Sequence, residues 1–142
     1  MDTAKILREH GLRVTPQRIA IYEALAGTKE HPSVEALYDR LRPRHPGLSL
    51  NTIYKTLQAF ASAGLVRKLA THEDMHRYDA NPEPHTHMVC IECGRVDDLD
   101  SKADERLAGI KDLISNDTDY DLVDHALYFY GYCPSCREKR NK

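Results

Sequence analysis

Two Cys-x-x-Cys pairs constrain this chain more than any other feature of its sequence. The first pair is Cys90 and Cys93, the second is Cys133 and Cys136, and together they contain all the cysteines of the 142 residues. A tight turn can present both sulfurs of such a pair to one ion, and two turns supply four thiolates. Buried apolar cysteines or a redox pair are the alternatives, but the paired spacing favours a structural Zn²⁺ site that uses all four cysteines.

The histidines just before the first pair indicate a second metal site of a different character. If residues 85–91 form a strand, His85 and His87 share one face and Cys90 lies on the other. One ion could not easily bind both sets of ligands. Imidazoles with carboxylates suit iron, manganese or zinc in a more open site. Surface histidines on an edge strand are the alternative interpretation of the pair.

The charges of the chain are divided unevenly. Residues 1–72 contain eleven Lys or Arg and six Asp or Glu, whereas residues 73–142 contain nine and sixteen, so the halves carry +5 and −7. A basic first half is compatible with nucleic acid, although a solvated surface of mixed sign would look similar. No apolar run approaches the roughly 20 residues of a membrane helix. We expect a cytoplasmic protein with reduced thiols and no membrane partner.

The first half has the pattern of a winged helix-turn-helix. Helix N-caps are predicted at Thr15, Ser33 and Ser49, each followed by apolar residues at helical spacing. Two short strands, at 65–69 and 75–79, follow the fourth helix. In this arrangement the fourth helix would enter the major groove of DNA with its N-terminal polar residues.

The second half has a mixed pattern. Its predicted elements are strands at 85–91 and 95–99, a helix at 101–115 and a strand at 122–132. We therefore predict an α+β protein with a DNA-binding domain at 1–79, a proline-containing hinge at 80–84, and a small α/β dimerisation and metal-binding domain at 85–142. A domain of this size usually needs a metal or a partner for stability.

The motifs together resemble the ferric uptake regulator (Fur) superfamily, and most closely its peroxide-sensing PerR branch. The matching segments run in family order over nearly the whole chain: 11–18, His31-Pro32, 49–57, 64–66, Arg77-Tyr78-Asp79, His85-x-His87-x2-Cys90-x2-Cys93-Gly94, and Tyr130-Gly131-x-Cys133-x2-Cys136. The resemblance implies a homodimeric, metal-dependent transcriptional repressor rather than an enzyme. Its expected partner is double-stranded DNA, an operator that is an AT-rich inverted repeat.

The resemblance also implies a regulatory Fe²⁺ or Mn²⁺ site and its ligands. By position these are His31, Asp79, His85, His87 and Asp98. Fur-type members typically have glutamate where this chain has Asp98, and this difference favours the PerR branch. Asp97 is the alternative carboxylate at that point. In PerR-type members hydrogen peroxide oxidises a ligand histidine, here His31 or His85, and the operator is released.

Six residues are predicted to contact DNA, from the helical pattern and the resemblance together. They are Arg13, Arg18, Asn51, Thr52, Tyr54 and Lys55. Lys55 resembles in charge the arginine of Fur-type members, so a Fur-type or zinc-uptake repressor without peroxide chemistry is the principal alternative. A zinc enzyme is disfavoured because no HExxH motif accompanies the histidines. A thioredoxin-like oxidoreductase is disfavoured because neither cysteine pair lies in a βαβ pattern.

Overall fold

The structure is a computed structural model that describes residues 2–69, 77–82, 85–99, 106–107 and 109–141. The chain divides into two compact units, Met1–Pro82 and Glu83–Lys142. Each unit is considered separately below.

The first unit contains four helices and a two-stranded hairpin. In chain order these are α1 (Thr3–Glu9), α2 (Pro16–Ala26), α3 (Val34–Leu41), α4 (Leu50–Ser62), β1 (Arg67–Leu69) and β2 (Arg77–Asp79). The strands are antiparallel, with Arg67 opposite Asp79. β1 begins at Arg67 rather than at residue 65, and residues 70–76, which include the polar turn predicted at 72–74, lie outside the described residues.

Local capping accounts for the start of each longer helix. The hydroxyl of Thr15 accepts from the N–H of Arg18, and that of Ser33 accepts from the N–H of Ala36, both at 3.1 Å. Ser49 caps α4 in the same way. Each cap satisfies an N–H group that has no partner within its helix, which is worth about 1 kcal/mol. All three capping residues are those that the sequence pattern predicts.

The core of the first unit forms where the apolar stripes of the helices meet. Leu37 of α3 and Ile53, Leu57 and Phe60 of α4 are completely buried. Tyr78 of the hairpin belongs to the same core. The helices and the hairpin therefore form one winged helix-turn-helix body, in which α4 is fixed by its apolar face.

The second unit contains a three-stranded sheet and two short helices. Its elements are β3 (Thr86–Cys90), β4 (Val96–Asp98), α5 (Ile110–Asn116), β5 (Leu127–Gly131) and α6 (Pro134–Arg140). The strand order is β4-β3-β5. β4 runs antiparallel to β3, whereas β5 runs parallel to it. The α+β fold, with its winged helix and clustered cysteines, is therefore the predicted one.

Two elements of the second unit differ from the prediction. The last strand begins at Leu127 rather than at residue 122, because Asp121 and Asp124 have poor strand propensity. The basic tail forms helix α6, which the sequence analysis missed. Its signal was Pro134, since proline is favoured at the first position of a helix. Residues 101–105 and 108 of the predicted helix lie outside the described residues.

Candidate metal centres

The parallel pairing of β3 and β5 brings the two Cys-x-x-Cys pairs to one end of the sheet. Cys90, the last residue of β3, is in register with Gly131, the last residue of β5. Cys93 follows in the β3–β4 turn, where the N–H of Gly94 donates to the carbonyl of Cys90 at 2.9 Å. Cys133 caps α6 two residues beyond Gly131. Strand ends and one helix start thus position the sulfurs.

The four thiols form a group of the size that one zinc ion requires. The ligand atoms of Cys90, Cys93, Cys133 and Cys136 all lie within 4.8 Å of one another. The sulfurs of Cys93 and Cys133 are 3.8 Å apart. A tetrahedral ion with Zn–S bonds of about 2.3 Å places its sulfurs about 3.8 Å apart. All four are free cysteines, so the cluster fits a structural zinc site.

The electrostatics of this cluster also favour a cation. Burial raises the pKa of the Cys90 thiol, but N–H groups of Cys133, Cys93 and Glu92 outweigh burial and lower that pKa to about 6. A hydrogen bond with Cys133, together with burial, raises the pKa of Cys136 to about 12. Adjacent thiols cannot all ionise alone because their charges repel. A divalent ion removes this conflict by binding all four as thiolates.

A second group of ligands lies on the same sheet. His87 of β3 is directly opposite Asp98 of β4. One carboxylate oxygen of Asp98 is 3.0 Å from Nε2 of His85 and 3.3 Å from Nε2 of His87. Atoms bound to one ion at about 2.1 Å lie no more than about 4.2 Å apart. Each Asp98–imidazole distance therefore fits a shared metal with nitrogen and oxygen ligands, distinct from the thiolate site.

The two aspartates at this point have different neighbours. A carboxylate oxygen of Asp97 is 2.7 Å from Nε of Arg95, in an exposed ion pair. Asp98 faces the imidazoles instead. Consecutive residues of a strand point to opposite sides, so only one of the two can reach the histidines.

Tyr128 is a neighbour of this group that the sequence analysis did not identify. It is in register with His87 on the adjacent strand β5, and the two rings stack with centroids 5.4 Å apart. Such stacking restricts the rotation of the imidazole. The only signal for the contact is the parallel strand register, which is not visible in the sequence pattern.

In the first unit, His31 and Asp79 form a buried pair. His31 is 3% exposed and Asp79 4%. Their facing atoms, Nδ1 and Oδ2, are 3.7 Å apart. The other oxygen of Asp79 accepts from the N–H of Asn81 at 2.9 Å. The pair thus presents one nitrogen and one oxygen at a spacing that one ion can bridge.

The backbone of His31 has an unusual conformation. Its φ is +50°, the only positive φ of a non-glycine residue in the described part of the chain. Such a conformation costs about 1 kcal/mol and is frequent at functional sites. The guanidinium of Arg77 donates to the carbonyl of His31 at 3.1 Å. Arg77 was not among the predicted site residues, because neither its spacing nor its type distinguishes it.

The residues predicted to contact DNA lie in two places of the first unit. Asn51, Thr52, Tyr54 and Lys55 are in the first two turns of α4, with Asn51 and Lys55 exposed. Arg13 is exposed in the loop before α2, and the guanidinium of Arg18 donates to the carbonyl of Arg13 at 3.2 Å. Tyr54 packs partly against the core.

A winged helix-turn-helix unit and a unit with separate thiolate and imidazole–carboxylate ligand groups define a metal-dependent, DNA-binding regulator. Among the described residues, no helix is long and apolar enough to cross a membrane. The chain belongs to the ferric uptake regulator family, whose model matches residues 9–130. Members of this family are dimeric DNA-binding transcriptional repressors and not enzymes, and the predicted resemblance is confirmed.

Three relatives illustrate the similarity. The chain is 35% identical over 135 residues to the peroxide-responsive repressor PerR of Staphylococcus epidermidis, covering 95% of this chain and 88% of that protein. The peroxide stress regulator of Campylobacter jejuni has a similar structure, with a TM-score of 0.75 and 30% identity. The match covers 96% of this chain and 100% of that one. The ferric uptake regulator of Pseudomonas aeruginosa, solved with manganese, also has a similar structure, with a TM-score of 0.75 and 29% identity. The match covers 94% of this chain and 99% of that one.

Proposed function

We propose that this protein is a repressor that senses hydrogen peroxide through oxidation of a histidine that binds its regulatory metal. The observation that carries the proposal is the position of Asp98, whose carboxylate lies beside the imidazoles of both His85 and His87. An aspartate at this point is the feature that favours the PerR branch. The similarity to the peroxide-responsive repressor of S. epidermidis supports the same assignment.

The regulatory ion takes its ligands from both units in this proposal. His31 and Asp79 provide two ligand atoms, and His85, His87 and Asp98 provide three. Neither group alone fills the coordination of Fe²⁺ or Mn²⁺, whereas five ligands leave one position for a small molecule. Because the ligands belong to two units, the ion favours one relative arrangement of them. DNA affinity then depends on the metal through that arrangement.

Peroxide sensing requires that a histidine bound to the regulatory metal is the residue that becomes oxidised. A ferrous ion in the site supplies the redox chemistry by which one oxygen of H₂O₂ is added to an imidazole carbon and the other leaves as water. His31 and His85 are the proposed acceptors of the oxygen. An oxidised imidazole loses basicity at the ligand nitrogen, so the ligand group holds the metal less tightly and the repressor leaves its operator.

This proposal predicts a mass change confined to two peptides. The Fe²⁺-loaded full-length protein, treated with dilute H₂O₂ and digested, should gain one oxygen on the peptide with His31 or on that with His85. Protein loaded with Mn²⁺ is the matched control and should gain none. Unmodified histidines in the iron sample, with operator binding still dependent on metal, would instead identify a Fur-type or zinc-uptake repressor.

The N-terminal part of α4 is the proposed DNA-reading surface. Asn51 and Lys55 are exposed there, and Arg13 lies exposed in the loop before α2. An amide and cationic groups are suited to base edges and phosphates respectively. The proposed operator is an inverted repeat, because a homodimer presents two such helices related by a two-fold axis, and its AT-rich composition is what the family resemblance implies.

Replacing Tyr54 by alanine is expected to weaken operator binding about tenfold, the cost of one good DNA contact. Fluorescence anisotropy with a labelled duplex would measure the loss, and metal analysis should show both metals still bound. Tyr54→Phe keeps the ring packed against the core and removes only the hydroxyl. It therefore distinguishes a loss of packing from the loss of a DNA contact made by the hydroxyl. Gln58→Ala, one turn further along α4, is the control. Operator affinity equal to that of the wild type in Tyr54→Ala would refute the assignment of α4.

The second unit carries the surface that we propose for the homodimer. Helix α5 has no buried residue among those described, and Leu113 is 64% exposed. Tyr120, Val123 and Phe129 are also exposed apolar residues of this unit. Large apolar side chains exposed in this number are typical of a surface that contacts another protein. The natural occupant is a second copy of the same unit.

A further inference from the structure

We propose that Arg77 is a positioning residue for the regulatory metal, which it serves by holding His31 in its left-handed backbone conformation. The inference rests on the proposed function, since it assigns His31 and Asp79 to that site. Arg77 itself offers no metal ligand, because a guanidinium remains protonated and has no free electron pair to donate.

The geometry of β2 places two residues against His31 at once. Arg77 and Asp79 are two positions apart on the strand, so their side chains share one face. Nη1 of Arg77 lies 3.1 Å from the carbonyl oxygen of His31, and Oδ2 of Asp79 lies 3.7 Å from its Nδ1. One side chain therefore fixes the backbone of His31, and the other faces its imidazole.

The conformation of His31 makes this backbone contact necessary. A φ of +50° is unfavourable for a residue with a Cβ atom, so surrounding contacts must maintain it. In the more usual conformation with negative φ, the imidazole would point in a different direction from the buried backbone. The hydrogen bond from Arg77 thus determines where Nδ1 lies relative to Asp79.

In the part of the chain that the structure describes, the side chain of Arg77 has no competing partner that would draw it away from His31. Within the described residues it forms no ion pair, and its buried Nε has no hydrogen-bond acceptor. A buried donor left unsatisfied is costly. Among the described residues, the carbonyl of His31 is therefore the one hydrogen-bond partner of this guanidinium.

The same strand also connects His31 with the DNA-reading helix. The backbone of Arg77 pairs with Ser33 in an isolated antiparallel bridge. Ser33 caps α3, and α3 packs on α4 through Leu37 and other core residues. A change in the position of His31 consequently acts on the start of α3. Arg77 thereby couples occupancy of the metal ligands to the winged helix.

The test is a calorimetric titration of the full-length, zinc-containing dimer with Mn²⁺. Arg77→Ala should weaken Mn²⁺ binding about tenfold, the usual effect of removing a group that orients a ligand. Arg77→Lys, which keeps a cationic donor, should recover part of the affinity. Lys68→Ala, on the neighbouring strand and exposed, is the control and should bind Mn²⁺ normally.

Three results would be unfavourable, and they are distinguishable. Wild-type Mn²⁺ affinity in Arg77→Ala overturns the inference. The inference is also overturned if Arg77→Ala fails to fold and Arg77→Lys does not restore folding even in part. Arg77 would then have only a structural role. His87→Ala tests the regulatory site independently. If His87→Ala retains wild-type Mn²⁺ affinity, the proposed function itself fails, whatever Arg77 does.

Discussion

Replacing Cys90 by serine will release the structural zinc and unfold the unit Glu83–Lys142. Cys90 is buried at the end of β3, and its sulfur lies within 4.8 Å of three other thiols. Zinc binding supplies on the order of 10 kcal/mol of folding free energy in small zinc domains. The described part of this unit has few large buried side chains to replace that contribution, among them Val89 and Val96.

The measurements for this variant are zinc content, thermal unfolding and sedimentation. The wild-type protein should contain about one structural zinc per protomer. Cys90→Ser should lose it, unfold at a lower temperature and sediment as a monomer. Glu92→Gln changes an exposed side chain in the same turn and should keep zinc and dimer. A zinc-free Cys90→Ser dimer with wild-type stability would show that the cysteine cluster is not structural.

Replacing Asp98 by alanine will abolish metal-dependent operator binding while leaving the structural zinc in place. Its carboxylate lies beside the imidazoles of both His85 and His87. Loss of a charged ligand should lower Mn²⁺ affinity by at least about 100-fold, more than the loss of a residue that only orients a ligand. Because metal binding and DNA binding are linked, operator affinity in the presence of Mn²⁺ should fall to that of the metal-free protein.

Asp97→Ala is the matched control for this prediction. It removes the neighbouring carboxylate, which pairs with Arg95 at the surface and does not face the histidines. Exposed ion pairs contribute little to stability, so this variant should bind Mn²⁺ and operator DNA as the wild type does. The opposite pattern, with Asp97→Ala defective and Asp98→Ala normal, would exchange the roles of the two aspartates.

Much of the fold could be predicted from the sequence because its signals are local. The hydroxyls of Thr15, Ser33 and Ser49 cap the helices that follow them, and each cap joins residues only three positions apart. The alternation of side chains along a strand likewise separates His87 from Cys90. Strand lengths were less predictable. The strand predicted from residue 122 begins only at Leu127, because the aspartates before it favour hydrogen bonds with nearby backbone. Asp124, for example, accepts from the N–H of His125.

The sequence by itself determined the chemistry of this protein: two turns that each present two thiols, a pair of histidines on one face of a strand, and a capped helix with polar residues at its start. Only the tertiary structure decided which of these groups meet. Parallel pairing of β3 with β5 brings the cysteine pairs together and stacks Tyr128 on His87, and pairing of β3 with β4 places Asp98, rather than Asp97, opposite His87. The physical reason is that strand register depends on hydrogen bonds between distant segments, whereas caps and turns depend on neighbours in the chain.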